Sequence, residues 1–157
     1  MDCMEYEVVF GDLLDQDVDV IVNSWNRNII PWWLLVPQGV SGAIKKKGGN
    51  EPFKQVAKFG SIPLGQARMT AAGTLPFKAI IHVAGINMFW YATEYSVRES
   101  VRNAMHIVAE QGFSSVAFPL IGSGSGNRKE EWSLALMTSE LQQLQMAKTV
   151  KVVRFLK

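Results

Sequence analysis

The chain has 157 residues, of which 48% are hydrophobic and 19% charged, enough for a sizeable core and too apolar for a disordered segment. A net charge of +2, with no basic run beyond Lys45-Lys46-Lys47, gives no electrostatic footprint of a nucleic-acid binder. The lone cysteine, Cys3, excludes an internal disulfide framework and fits a reducing cytoplasm, and no cysteine–histidine cluster offers a zinc site.

At the N-terminus, "MDCMEYEVVFGD" carries Asp2, Glu5 and Glu7 where a secretory signal would carry positive charge. The longest apolar run, "IIPWWLLV", falls far short of the roughly 20 residues a spanning helix needs. The expectation is a cytoplasmic protein of one domain over residues 1–157, with no membrane partner, metal or cofactor. Short β-branched runs then recur along the chain: "YEVVF" (6–10), "VDVIVN" (18–23), "ARMTAAG" (67–73), "AIIHVAG" (79–85), "SVAFPLI" (115–121) and "TVKVVRFL" (149–156). Several are almost wholly apolar, as strands buried on both faces are.

Helical patterns lie between them. "GVSGAIKKKGG" reads as a short helix closed by Gly48-Gly49, with its lysines either solvated near the C-terminal end or touching a modified nucleic acid. "TEYSVRESVRNAMHIVAEQG" sets Val97, Val101, Ala104, Met105 and Val108 on one face and stops at Gly112. "NRKEEWSLALMTSELQQLQ" sets Trp132, Leu136, Met137, Leu141 and Leu144 on one face, with Glu130 and Glu131 complementing the helix dipole in its first turn. Strands alternating with helices predict an α/β domain with a largely parallel sheet.

Two connections follow buried-type strands and precede helices: a long one from 24 to 39 that runs into "QGVSGAI", and "GSGSGN" at 122–127. In open α/β sheets ligands bind at that edge, where glycine lets backbone N–H groups approach an anion and a helix N-terminus adds partial positive charge. Neither loop matches the phosphate-binding P-loop or the dinucleotide fingerprint. Singly each reads as a capped turn; together they point to an anion site. Asp12 reads either as a turn-capping residue or as an acceptor for a ligand amine. His82 reads as a satisfied core histidine, and His106 as structural or surface.

The order "GDLL…VDVIVNSWN…GVSGAI…GQARMTAAGTLPFKAIIHVAG…SVAFPLIGSGSGN" resembles the macro domain family over almost the whole chain, from Gly11 to the final strand. The resemblance implies a three-layer α/β/α sandwich with a mixed, mostly parallel sheet, binding ADP-ribose at the strand ends. It makes Asp12 the acceptor for the adenine amine, with Leu13 donating from its backbone and Phe155 packing on the base. Gly39, Val40 and Ser41 would hold one side of the diphosphate, and Ser123, Gly124, Ser125, Gly126 and Asn127 the other. Asn26 corresponds to the family asparagine beside the distal ribose.

Three departures from the family pattern stand out. Ser41 occupies the position where hydrolytic members carry a water-activating aspartate. The glycine run before it is replaced by the longer "IIPWWLLVPQ", and Gly126 replaces the aromatic that covers the distal ribose. Trp32 and Trp33 are read either as a substitute lid or as a plug for the core or a dimer contact. The implied activity is hydrolysis of mono-ADP-ribose from modified protein or nucleic acid, with Asn26, Gln38 and Ser41 as catalytic residues. The alternatives are a non-catalytic ADP-ribose reader and an ADP-ribose 1″-phosphate phosphatase.

Overall fold

The computed structural model describes residues 5–26, 44, 46–59, 62–86, 92–122 and 129–155, with Trp25, Asn26, Ile86 and Phe155 described by their backbone alone. The strands are β1 (Glu5–Gly11), β2 (Val20–Asn26), β3 (Ala67–Thr70), β4 (Ala79–Ile86), β5 (Ser115–Pro119) and β6 (Thr149–Phe155). They form one six-stranded sheet in the order β1-β6-β5-β2-β4-β3. Every neighbouring pair is parallel except β3 with β4, so the sheet is mixed and mostly parallel, as the sequence implied.

The helices described are α1 (Glu51–Ala57), α2 (Glu94–Glu110) and α3 (Glu130–Gln143). Alternation along the strands assigns each residue to a face. Val20, Val22, Ile81, Val83, Val116, Phe118, Val150 and Val152 pack with α2 and α3 on one side. Ile21, Ile80, Ala117 and Val153 pack with Ile44, Phe53 of α1 and the 3-10 turn Leu13–Asp15 on the other. Helical layers on both faces make the sandwich. No helix among the described residues is long and apolar enough to cross a membrane.

The predicted stripe of α2 is fully buried, and Thr93 with Ser96 closes a reciprocal cap at its start. Its far end is closed by Gly112 at φ +74°, which lets Phe113 N–H reach back to the Val108 carbonyl at 3.0 Å. The stripe of α3 differs from the expected one. Met137 and Leu141 are buried, but so are Ser133 and Glu140, while Trp132, Leu136 and Leu144 are half-buried.

The reason is a polar seam between α2 and α3. Glu140 takes Arg98 at 3.0 Å and Arg102 at 3.3 Å. A carboxylate can be buried on a helix face when two guanidinium groups meet it there. Two further differences concern boundaries. β2 runs on to Asn26 rather than stopping at Asn23, because β4 is long enough to pair with it, Trp25 opposite Ala84 and Asn26 opposite Ile86. The seven-residue α1, with Pro52 in its first turn, was not anticipated from the sequence pattern.

Replacing Glu140 by alanine leaves two arginines facing a buried gap. The expected loss is roughly 1–3 kcal/mol, less than for a fully enclosed pair because Arg102 is half-exposed. Urea denaturation of the variant beside the wild type measures it.

Candidate functional site

The parallel strands β1, β6, β5, β2 and β4 all finish on the same edge of the sheet, which therefore collects Asp12, Phe155, Ile121, Asn26 and Ile86. At one end of this edge β1 closes at Gly11, whose φ of +151° is one that L side chains rarely adopt. The strand then turns sharply into the 3-10 turn. Asp12 caps that turn, its Oδ1 accepting from Leu14 N–H at 2.9 Å, while Leu13 is buried beneath. Oδ2 of Asp12 accepts no hydrogen bond among the described residues; it faces Lys47 Nζ at 4.0 Å. Gly11 is the register partner of Phe155, so Asp12 starts beside the end of β6.

In the middle of the edge, side chains close in on the backbone at Gly85. The pairing slips between Trp25 and Asn26, and β4 takes up the slip at Gly85. A Cβ on Gly85 would stand 2.6 Å from Ile121 Cγ2 and 3.1 Å from Ser24 Oγ, so glycine alone fits. The Gly85 carbonyl is satisfied by Ser96 Oγ at 2.8 Å, from the first turn of α2. Ser24 Oγ is buried there and has no hydrogen-bond partner among the described residues.

On the β5 side the chain turns at Gly122, φ +95°, where a Cβ would fall 2.8 Å from Ala92 Cβ. The Ile121 carbonyl accepts from Ser133 Oγ, and its N–H points to Met137 Sδ at 3.4 Å. The entry into the second glycine-rich connection is thereby bolted to α3. A serine buried on a helix face carries no hydrophobic signal, which is why the sequence reading passed over it.

Directly under this edge lies a chain of neutral polar groups. Asn23 Nδ2 lies 3.1 Å from His82 Nδ1, His82 Nε2 lies 2.8 Å from Thr70 Oγ1, and Thr70 Oγ1 donates to the Ala71 carbonyl at 3.0 Å. An amide N–H can only donate, so it fixes the imidazole proton on Nε2 and leaves the threonine oxygen as acceptor. The ring is fully buried, with Phe53 edge-on at 6.4 Å between centroids. Desolvation lowers its pKa from 6.5 to about 3. A ring that stays neutral at physiological pH and has both nitrogens engaged is a strut between β2, β4 and β3, as expected of a core histidine.

Of the residues predicted for the site, the structure brings Asp12, Leu13, Asn26 and Phe155 to one edge, the last two by their backbone. Gln38, Gly39, Val40, Ser41, Trp32 and Trp33 lie outside the described residues, as do Ser123, Gly124, Ser125, Gly126 and Asn127. Gly85, Ser96 and Ser133 were not singled out in the sequence, and Lys47 was read only as one of a lysine run, since their parts depend on contacts between distant segments.

A family profile described as Macro domain matches residues 22–137. An O-acetyl-ADP-ribose deacetylase of Enterobacter cloacae is 35% identical over 128 residues, 76% of this chain and 67% of that protein. An uncharacterized protein of Aquifex aeolicus is 32% identical over 151 residues, 96% of this chain and 88% of that protein. Among solved structures, an Oceanobacillus iheyensis macrodomain with ADP superimposes with a TM-score of 0.81 at 28% identity, over 97% of this chain and 84% of that one.

The neutral imidazole makes stability depend on pH with a definite sign. Between pH 6.5 and about 3 the unfolded chain takes up a proton that folded His82 refuses, so stability falls as pH is lowered through that window. The contribution is up to about 1.4 kcal/mol per pH unit. Urea denaturation of the wild type and of His82→Gln at several pH values checks this: the stability gap between them narrows towards low pH, whereas a constant gap contradicts it.

Proposed function

The chain belongs to the macro domain family, and we propose that its carboxyl edge binds ADP-ribose and hydrolyses mono-ADP-ribose from modified protein or DNA at the distal ribose. The observation that carries the reading is Asp12. One carboxylate oxygen is committed to its own turn and the other accepts no hydrogen bond among the described residues, with only Lys47 facing it at 4.0 Å, at the point where β1 and β6 end together. A purine amine placed there would find its acceptor already oriented, beside the aromatic residue Phe155.

From that end the ligand would run along the edge towards β2. The 39–41 and 123–127 segments would hold the diphosphate through backbone N–H groups, the arrangement glycine-rich turns favour for anions. Asn26, fixed at the end of β2, would orient the distal ribose. With Ser41 in the position of the family aspartate, the reaction loses a base whose contribution is typically about 10²–10⁴-fold. Rate must then come from holding substrate and water in line and from oriented amides around a developing oxocarbenium ion. Gln38 and Ser41 are the residues proposed to hold that water.

A second reading, hydrolysis of an acetyl ester on the same ribose, draws support from the relative named O-acetyl-ADP-ribose deacetylase. Both reactions cut at the distal ribose and use the same purine and phosphate sites. A reader without chemistry is what the missing carboxylate would favour.

Calorimetric titration with ADP-ribose tests the binding half; Asp12→Ala is expected to weaken it about tenfold or more, the worth of a hydrogen bond to a charged group. Release of free ADP-ribose from ADP-ribosylated protein and DNA, and of acetate from the acetylated nucleotide, tests the chemistry. Asn26→Ala is expected to abolish release, and Ser41→Asp to raise it by about tenfold or more. Tight binding with no release from any of the three substrates overturns the hydrolase reading.

A further inference from the structure

Lys47 is the cation nearest the free oxygen of Asp12 among the described residues, and its backbone is fixed rather than free. The Lys47 carbonyl accepts from Thr74 Oγ1 at 2.7 Å, and the next carbonyl, Gly48, from Thr74 N–H at 3.2 Å. Gly48 lies so close to the 72–75 turn that a Cβ would meet Leu75 Cδ1 at 3.0 Å and the Ala72 carbonyl at 3.2 Å. From the other side, a Cβ on Gly73 would fall 2.1 Å from the Gly48 carbonyl. The turn between β3 and β4 thus locks the Cα of Lys47 in place. Its side chain, half-exposed, reaches Asp12 with Nζ 4.0 Å from Oδ2.

We infer that Lys47 is a positioning residue for the purine end of the site: it holds the Asp12 carboxylate in the orientation that receives the ligand amine. The inference rests on the reading of Asp12 given above and goes beyond it, by adding a second residue to base recognition. A carboxylate pivots about its Cβ–Cγ bond. One hydrogen bond, from Leu14 N–H to Oδ1, leaves that rotation only partly restrained. A cation on the Oδ2 side restrains the rest, so the acceptor is ordered before the ligand arrives and less entropy is lost on binding.

The sequence alone makes Lys47 the third of three equivalent lysines at a helix end. Lys46, one residue earlier and exposed, forms no ion pair among the described residues, so the contact with Asp12 singles out Lys47. An ion pair as exposed as this one is weak and sensitive to salt. Its effect on affinity is accordingly modest, about two- to fivefold.

The test is calorimetric titration of ADP-ribose into the wild type, Lys47→Met, Lys47→Arg, Asp12→Ala and the Lys47→Met/Asp12→Ala double variant, with thermal melts confirming that each is folded. Lys47→Met is expected to weaken binding about two- to fivefold, Lys47→Arg to restore it, and the loss to shrink at high salt. In the Asp12→Ala background, Lys47→Met is expected to cost nothing further, because the lysine acts through the carboxylate. Unchanged binding by Lys47→Met overturns the inference alone. So does an equal loss in both backgrounds, which would make Lys47 a plain cation towards the phosphates. A wild type that fails to bind ADP-ribose overturns the reading of Asp12 and this inference with it.

Discussion

The imidazole of His82 sits between the Asn23 amide and the Thr70 hydroxyl with no access to water, and that single arrangement joins β2, β4 and β3, the half of the sheet that ends at β3. Its polar atoms are tolerable in the core only because each has a partner, so a one-residue slip of β2 or β3 against β4 would strand them. The register of these strands in turn sets where β2 and β4 end. It places Gly85 against Ile121 and Ser24, at a separation that leaves no room for a Cβ. The carboxyl edge is therefore as tightly specified as the core beneath it.

Two kinds of anchoring keep that edge in shape. The apolar layers hold the strands: Val20 and Ile21 on opposite faces of β2, and Val116 and Ala117 of β5 likewise. Side-chain oxygens then hold the strand ends, Ser96 on the Gly85 carbonyl, Ser133 on the Ile121 carbonyl, and Asp12 on its own turn. In each case a short polar side chain satisfies a backbone group that the strand ladder no longer serves. The edge carries an acceptor at its β1–β6 end and an asparagine at the end of β2, the polarity that a ligand with a base at one end and a sugar at the other would require.

Much of this was legible in the sequence. Strands β2, β4 and β5 are largely buried on both faces, so their side chains are mostly apolar, Asn23, Ser24 and His82 apart, and stand out as runs. The face of α2 shows because all five of its predicted residues serve the core and the helix is long enough for the period to repeat. Asp12 reads from the sequence as a cap or a ligand acceptor, and the cap is what its Oδ1 forms, while Oδ2 faces Lys47. The resemblance to macro domains anticipated the sheet and its edge.

What escaped the sequence reading did so for physical reasons. α1 spans seven residues, two turns, too short for a periodic signal to emerge. The stripe of α3 was misjudged because Ser133 and Glu140 are buried polar groups, made acceptable by a carbonyl and two arginines that lie far away in the chain. The extension of β2 to Asn26 depends on the length of β4, which local sequence does not reveal. Lys47 meets Asp12 only because Thr74 and Gly73 close on the backbone at Gly48.

The most direct measurement of the central claim is a crystal structure of the protein grown with saturating ADP-ribose. The expected result is adenine against Asp12 and Phe155, with the diphosphate between the 39–41 and 123–127 segments and the distal ribose at Asn26. Density for the nucleotide at any other place on the molecule, or an empty carboxyl edge under those conditions, would contradict it.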